Sequence, residues 1–532
     1  MRKLLALLLL SALPALCALP YQMQWRVAST GSDSNNSGGF YALGTSCGTD
    51  YSLQNSPQIS YTDLVVGVTT TTYTSVLHAV ASAVTCNTLH VVSGTGCTTG
   101  TFYISAETGG SPNFATVDRS LGTAASVCTA YLGGAFASIA QAMSVNSGAL
   151  DTIWIKTSTT TLTSSLGNCV SQGSCSNSTN AIRSITLSGY NTTPGDVTVA
   201  CIAASTCTRP LITTSTSSVE LFQLVGSIIT ASFTIQNLEI SNTASSSAYP
   251  IIAGINGGPN LYLYNTKIDV TGTNSGGASG IYNDNEFSFI VIYASEFNVA
   301  TGNSGVADQE ESQSNNGHGI WSYYSYYHGA GTAFYDVDNG GLQLWHWIGN
   351  VCSGMSRCLY AAETGDNSVS LIELVGNAFY NPANEAVRYN SFALGFLSNI
   401  NNIYYGGTYG LYINGYIADG SSVPFGIPFS QSNAYGGQST APYLPYTFGG
   451  NRSGVLTGTP PGYGSSDITL GACNPFNNPG SGDFSLSTCG KTALAQAGYP
   501  GVSLFGSGYA AIGALPAQGG GTSGGGASPY VQ

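Results

Sequence analysis

The sequence predicts an all-β chain built mainly as one long right-handed parallel β-helix, a solenoid. Three observations predict it. Short alternating apolar runs sit between Gly, Asn and Ser clusters; asparagines close several of these runs at a near-constant interval; and charged residues are scarce. In a solenoid every coil stacks on an identical neighbour, so a charge would stack on a like charge. That is a physical reason for 7% charged residues where ordinary domains carry about 25%.

The strand expectations are Thr152–Lys156, Ser184–Leu187, Phe233–Ile240, Leu261–Val270, Phe289–Val299, Leu342–Ile348, Ser370–Val375 and Phe392–Ile400. Asn237, Asn265, Asn350, Asn377 and Asn402 close such runs, with Ala294 in the equivalent place between Asn265 and Asn350. The first two are 28 residues apart and the last three are 27 and 25 apart. Ile255 and Ile281, then Val387 and Leu411, repeat at 26 and 24. Such periods suit a coil in which stacked Asn side chains bond to one another along the axis. One segment breaks the pattern: Phe136, Ile139, Ala140 and Met143 fall at helical spacing and predict a short capping helix.

The ends carry different signals. Arg2 and Lys3 precede the apolar Leu4–Leu10, and Ala15-Leu16-Cys17 offers a cleavage site, so residues 1–18 read as an export signal. A lipid on Cys17 is the competing reading. Residues 19–125 are Thr/Ser-rich and read as a small N-terminal β-module or the start of the solenoid, with strands at Val65–Thr72 and Leu89–Thr101. The β-helix is assigned to 126–516, and the Gly/Ser-rich 517–532 to a flexible tail. The apolar run is too short to span a bilayer and none later reaches 18 residues, so the expected location is secreted or cell-surface.

Cysteine parity agrees with export. Removing Cys17 from 13 cysteines leaves an even set. Proximity in sequence pairs Cys86–Cys97, Cys169–Cys175, Cys201–Cys207, Cys352–Cys358 and Cys473–Cys489, and leaves Cys47–Cys128 for each other. Charge narrows the partners. Without Arg2 and Lys3, 10 basic face 25 acidic residues, a balance of −15. Nucleic acid and anionic membranes both need basic clusters, so neither is an expected partner. Sequons at Asn35, Asn177, Asn191 and Asn451 matter only in a glycosylating host.

Three stretches resemble secreted right-handed β-helix proteins of the pectate-lyase-like superfamily. They are Trp25 to Asn36; the helix around Ala137–Met143 with Asp151-Thr152-Ile153-Trp154-Ile155-Lys156 and Leu187-Ser188-Gly189-Tyr190; and Ser481-Gly482-Asp483-Phe484-Ser485-Leu486 with Gly508 to Ala514. The resemblance implies the fold and says little of activity, because that superfamily holds lyases, hydrolases, adhesins and phage spikes.

Four groups of residues carry candidate chemistry. Gly317-His318-Gly319 is similar to a motif of β-helix polygalacturonases, although the partner motifs are incomplete; the competing reading is a strand that opens on His318. Asp284, Asp308, Asp336 and Asp338 are candidate carboxylates for glycoside hydrolysis, and Arg357 the candidate base of a lyase. Glu286, Asp308, Glu310 and Glu311 form a weak calcium-binding set, or a solvated acidic loop. Trp321, Tyr323, Tyr326, Trp345, Trp347 and Tyr360 are candidates for stacking on sugar rings, or on one another between coils. The preferred expectation is a non-catalytic rod that contacts polysaccharide, a cell-surface glycan or partner proteins. The alternatives are a polysaccharide lyase or glycoside hydrolase, and a self-associating fibre subunit.

Overall fold

The computed structural model describes residues 22–494, apart from 42–46, 48, 54–56, 58, 77–83, 109–113, 146–148, 168–183, 217–218, 226–231, 244–249, 256–259, 272–277, 285–288, 309–317, 337–341, 362–368, 390–393, 414–428 and 445–466. The chain divides into two compact units, 1–158 with 182–188, and 159–181 with 189–532.

In the first unit, strand Gln24–Val27 pairs in parallel with Ala149–Lys156. Trp25 is fully buried, and its indole N–H donates to Asp151 Oδ2 at 2.9 Å. The capping helix is present as Ile139–Val145, with Ile139, Ala142 and Met143 buried. Between these elements six antiparallel strands close into a barrel: Ile59–Val66, Thr72–Thr74, Phe114–Val117, Gly100–Thr108, Thr88–Ser93 and Val127–Leu132. The expected strands Val65–Thr72 and Leu89–Thr101 are each interrupted by a turn, after Gly67 and through Gly94 and Gly96. The barrel also corrects two disulfides. Cys47 bonds Cys86 and Cys97 bonds Cys128, in place of Cys47–Cys128 and Cys86–Cys97. Antiparallel closure sets Val127–Leu132 beside Thr88–Ser93, which brings Cys128 to the turn that carries Cys97. Nearness in sequence does not capture that.

The second unit is a parallel β-solenoid with three walls, here A, B and C. One coil runs Phe289–Tyr293 on wall A, Glu296–Val299 on B and Ser304–Asp308 on C; the next runs His318–Tyr323, Tyr326–Gly329 and Thr332–Asp336. Each strand pairs in parallel with its counterpart one coil on. The alternation of side chains then sends every second residue into the lumen. Rows of Ile and Leu such as Leu261, Ile290 and Ile320 fill it. A column of rings also runs through it, Phe297–Tyr327–Trp347–Phe379–Tyr404–Tyr435, with centroids 4.9 to 6.1 Å apart.

The corner between walls A and B explains the asparagines. One residue there adopts a left-handed conformation: Asn237, Asn265, Ala294, Tyr324, Gly349, Gly376, Asn401 and Ser432, with φ from 47 to 67°. Asn and Gly tolerate this region best. The corner therefore splits Phe233–Ile240, Leu261–Val270 and Phe289–Val299 into two strands each. It also shows that the repeating asparagines belong to two adjacent columns. Asn237 and Asn265 are corner residues. Asn350, Asn377 and Asn402 occupy the following position, in line with Thr266, Ser295, Ser325 and Asn433. This second column is a buried ladder: the backbone N–H of each member donates to the side chain of the next, from Thr266 to Asp467, over 2.8 to 3.2 Å. Likewise Ile281 pairs with Ile252 rather than Ile255, while Val387 and Leu411 are true partners.

Within this unit the outer faces of the walls differ. Wall B is apolar towards its C-terminal end, where Val351, Ala378, Ile403 and Ala434 line up and Leu470 joins their cluster. The hairpin Phe476–Asn478 with Asp483–Leu486 and the helix Thr488–Leu494 cover that strip through Phe476, Phe484 and Leu494. Cys473–Cys489 ties this cover together. Cys201–Cys207 and Cys352–Cys358 are also bonded. Cys169 and Cys175, Cys17, and the segments after Leu494 lie outside the described residues.

Candidate functional site

The six aromatic candidates are distributed over all three walls and the lumen. Trp345 and Trp347 point inward and are 3% and 0% exposed, so neither is available to a sugar; both are core residues. The reason is the two-residue period: Leu344, His346 and Ile348 take the outer positions of that strand. Tyr326 is on wall B, where its ring stacks on His328 at 4.6 Å and meets Phe484 of the C-terminal cover. Tyr360 is on wall C. Trp321 and Tyr323 point outward from wall A.

The acidic candidates concentrate where wall C ends. Asp284, Asp308 and Asp336 each close a wall C strand, and His318 opens a wall A strand. Asn283, Asp308 and Asp336 are register partners on consecutive strands. The Asp336 side chain is 1% exposed, which removes it from direct contact with a polymer on the outer surface. The side chains of Asp284, Asp308 and His318, and all of Glu286, Glu310, Glu311 and Asp338, lie outside the described residues. Among the described residues no three His, Cys, Asp or Glu side chains converge as a metal site would require. No helix among them is long and apolar enough to cross a membrane.

Three outward clusters occur among the described residues of the second unit. On wall C, Tyr335 and Tyr360 lie 5.4 Å apart; the guanidinium of Arg357 is 4.7 Å over Tyr360, and that of Arg388 is 5.5 Å over Tyr360 and 5.0 Å over Tyr412. Glu385 accepts from Arg357 Nε at 2.7 Å and pairs with Arg388 at 3.4 Å. Arg357 is thus committed to an ion pair. Burial works against the Glu385 charge, and the Arg357 hydrogen bond with both guanidinium charges outweighs it, so its pKa falls.

On wall B, Glu296 meets His328 Nε2 at 3.0 Å and Arg209 at 3.8 Å, while Lys267 bridges Glu239 at 2.9 Å and Asp269 at 3.1 Å. Burial opposes ionisation of Glu296, and the bond from His328 and the neighbouring cations overcome it.

Wall A carries an outward aromatic surface. Two outward columns run along it: Tyr262, Val291, Trp321, His346 and Glu373; and Tyr264, Tyr293, Tyr323, Ile348 and Val375. Four steps between strands make each column about 19 Å long. Their rings touch: Tyr262 and Tyr264 lie nearly parallel at 6.3 Å, and Tyr264 contacts Tyr293 at 6.2 Å. Tyr293 contacts Tyr324 edge-on at 5.8 Å. Tyr324 is 38% exposed and holds the left-handed corner conformation, with φ 51°. Gly319 leaves space for Phe289 to lie 5.3 Å from Trp321; a Cβ there would stand 2.8 Å from the Phe289 ring. Midway up the wall, His346 Nδ1 and Glu373 Oε2 are 2.6 Å apart, and the His346 ring meets Trp321 edge-on at 5.7 Å. The His346 bond holds Glu373 below the usual carboxylate range.

No protein family matches this sequence, and no curated protein matches it. Among solved structures the chain is similar to the catalytic domain of a GH87 alpha-1,3-glucanase in complex with nigerose, at 11% identity with a TM-score of 0.28, over 74% of this chain and 90% of that one. Sequence reasoning missed Tyr262, Tyr264, Tyr293, His346 and Glu373. The available signal was the alternation itself: in Asn260–Tyr264 and Phe289–Tyr293 the outward places go to Asn260, Tyr262 and Tyr264 and to Phe289, Val291 and Tyr293, while Leu and Ile take the others.

Proposed function

We propose that this protein is an extracellular, non-catalytic β-helix of the pectate-lyase-like type that binds glycan on the outer face of wall A. The observation that carries the reading is the pair of outward columns of Tyr and Trp rings. Sugar rings present apolar C–H faces, and half-exposed aromatic rings on a rigid sheet stack on them at little entropic cost. Disulfides in both units support an oxidising location. Burial raises the pKa of Glu220 and Asp467, which are not members of the three outward clusters; within those clusters Glu296, Glu373 and Glu385 are each held ionised by a cation or imidazole partner. A glycosidase acid requires the opposite, a carboxyl kept protonated. A glycan array probed with the full chain and with Tyr293→Ala/Tyr323→Ala tests the reading. Binding by the wild type that the double variant loses supports it; equal signals from both refute it.

A second reading is a polysaccharide lyase or glycoside hydrolase at the edge of wall C. It is favoured by the register pairing of Asp308 with Asp336 beside the strand that His318 opens. Release of reducing or unsaturated sugars by the wild type, abolished in His318→Ala and Asp308→Asn, would establish it in place of the binding reading.

A further inference from the structure

We infer that His346 and Glu373 form the polar anchor of wall A and that the anchor selects an uncharged, hydroxyl-bearing sugar unit. The inference rests on the glycan-binding reading and adds the ligand class and the residues that choose it. The geometry begins with the 2.6 Å contact between His346 Nδ1 and Glu373 Oε2. A carboxylate can only accept, so Nδ1 carries the proton and donates; in the tautomer with Nδ1 alone protonated, Nε2 is an acceptor. Glu373 keeps Oε1. Neither Nε2 nor Oε1 has a partner among the described residues, and the two side chains are 32% and 40% exposed. They are register partners on adjacent strands, so the two residues that carry these acceptors stand one strand spacing apart. Trp321 is the next member of the same column, with its ring against His346.

Two neighbouring acceptors beside an aromatic ring demand donors from the ligand. A neutral sugar supplies them as a pair of hydroxyl O–H groups while its C–H face lies on Trp321. A uronate or sulfate supplies further acceptors and brings a negative charge towards Glu373. The wall A strands from Asn260 to Ile400 contain no Lys or Arg that would offset it. The other titratable group facing the pair is Tyr323, whose pKa is raised by burial and by Glu373. It is a neutral donor near pH 7, so it supplies no cation.

Affinity electrophoresis of the full chain through gels containing laminarin, hydroxyethyl cellulose, galactomannan or polygalacturonate tests this. The expected result is retardation by at least one neutral polymer and none by polygalacturonate. His346→Ala and Glu373→Ala should each weaken retardation about tenfold, one lost hydrogen bond to a charged or charge-linked group. Their thermal unfolding should match the wild type, because both side chains are partly exposed. Undiminished retardation in both alanine variants, or retardation by polygalacturonate alone, overturns the inference. If Tyr293→Ala still lowers binding while the two anchor variants do not, the aromatic wall stands and only the anchor fails. If no variant of the wall alters binding, the glycan-binding reading falls with it.

Discussion

Replacing Asn377 by Ala should be among the most damaging single changes in the solenoid. The side chain is fully buried. Its Nδ2 donates to Trp347 O at 2.8 Å and to Asn402 Oδ1 at 2.9 Å, and its Oδ1 accepts from Asn350 N at 2.9 Å and Asn350 Nδ2 at 3.3 Å. After truncation Asn402 Oδ1 keeps the Asn377 backbone N–H, and Asn350 Nδ2 keeps Ser322 O. The Asn350 backbone N–H loses its acceptor. One orphaned buried donor at about 1–3 kcal/mol, with three further lost bonds at about 1 kcal/mol each, gives a loss of about 5 kcal/mol. With a urea m-value of about 3 kcal/mol/M the midpoint would fall by more than about 1 M. The control is Asn477→Ala, whose exposed side chain bonds Ser485 Oγ at 2.8 Å and should cost less than about 0.5 kcal/mol. Urea unfolding followed by tryptophan fluorescence measures both. Equal midpoints for the two variants would refute the ladder as a source of stability.

Other consequences follow from the same geometry. Asp467 ends the ladder; burial raises its pKa although Asn433 donates to it. A carboxyl whose folded pKa is raised stabilises most when protonated, and that stability is lost as pH climbs from the unfolded value near 4 through the folded one. Asp467→Asn should therefore raise the unfolding temperature at pH 7 and leave it unchanged at pH 3; no gain at pH 7 would contradict this. Removing Cys47–Cys86, which spans 39 residues, should cost about 4 kcal/mol against about 2 for Cys352–Cys358, which spans 6, if bridges act by restricting the unfolded chain; chemical unfolding of the two double-alanine variants would expose a reversed order. Trp347→Ala should cost about 4 kcal/mol by opening the lumen, whereas Trp321→Ala should spare stability and lower glycan binding. Calorimetry with the glycan array separates those two outcomes.

Much of the fold was legible because a solenoid repeats its constraints. Period, scarce charge and strand-closing asparagines all reflect coils stacked on like coils. What escaped was phase. A left-handed corner and the ladder position beside it both favour Asn, so Asn265 and Asn350 look equivalent in sequence although they differ by one place. A shift of one place also separates lumen from surface, which is why Trp345 and Trp347 read as a sugar platform while His346, between them, did not. The barrel disulfides escaped for another reason: antiparallel closure creates neighbours that spacing does not encode. The candidate site was legible only at Trp321 and Tyr323. Its remaining members are ordinary Tyr, His and Glu residues that gain meaning from parallel register.

The most direct test of the glycan-binding wall is hydroxyl-radical footprinting of the full chain with and without the glycan that binds best on the array. The account predicts that Tyr293, Trp321 and Tyr323 become protected while Tyr335, Tyr360 and Tyr412 on wall C keep their reactivity. Protection of the wall C tyrosines with wall A unchanged would contradict it.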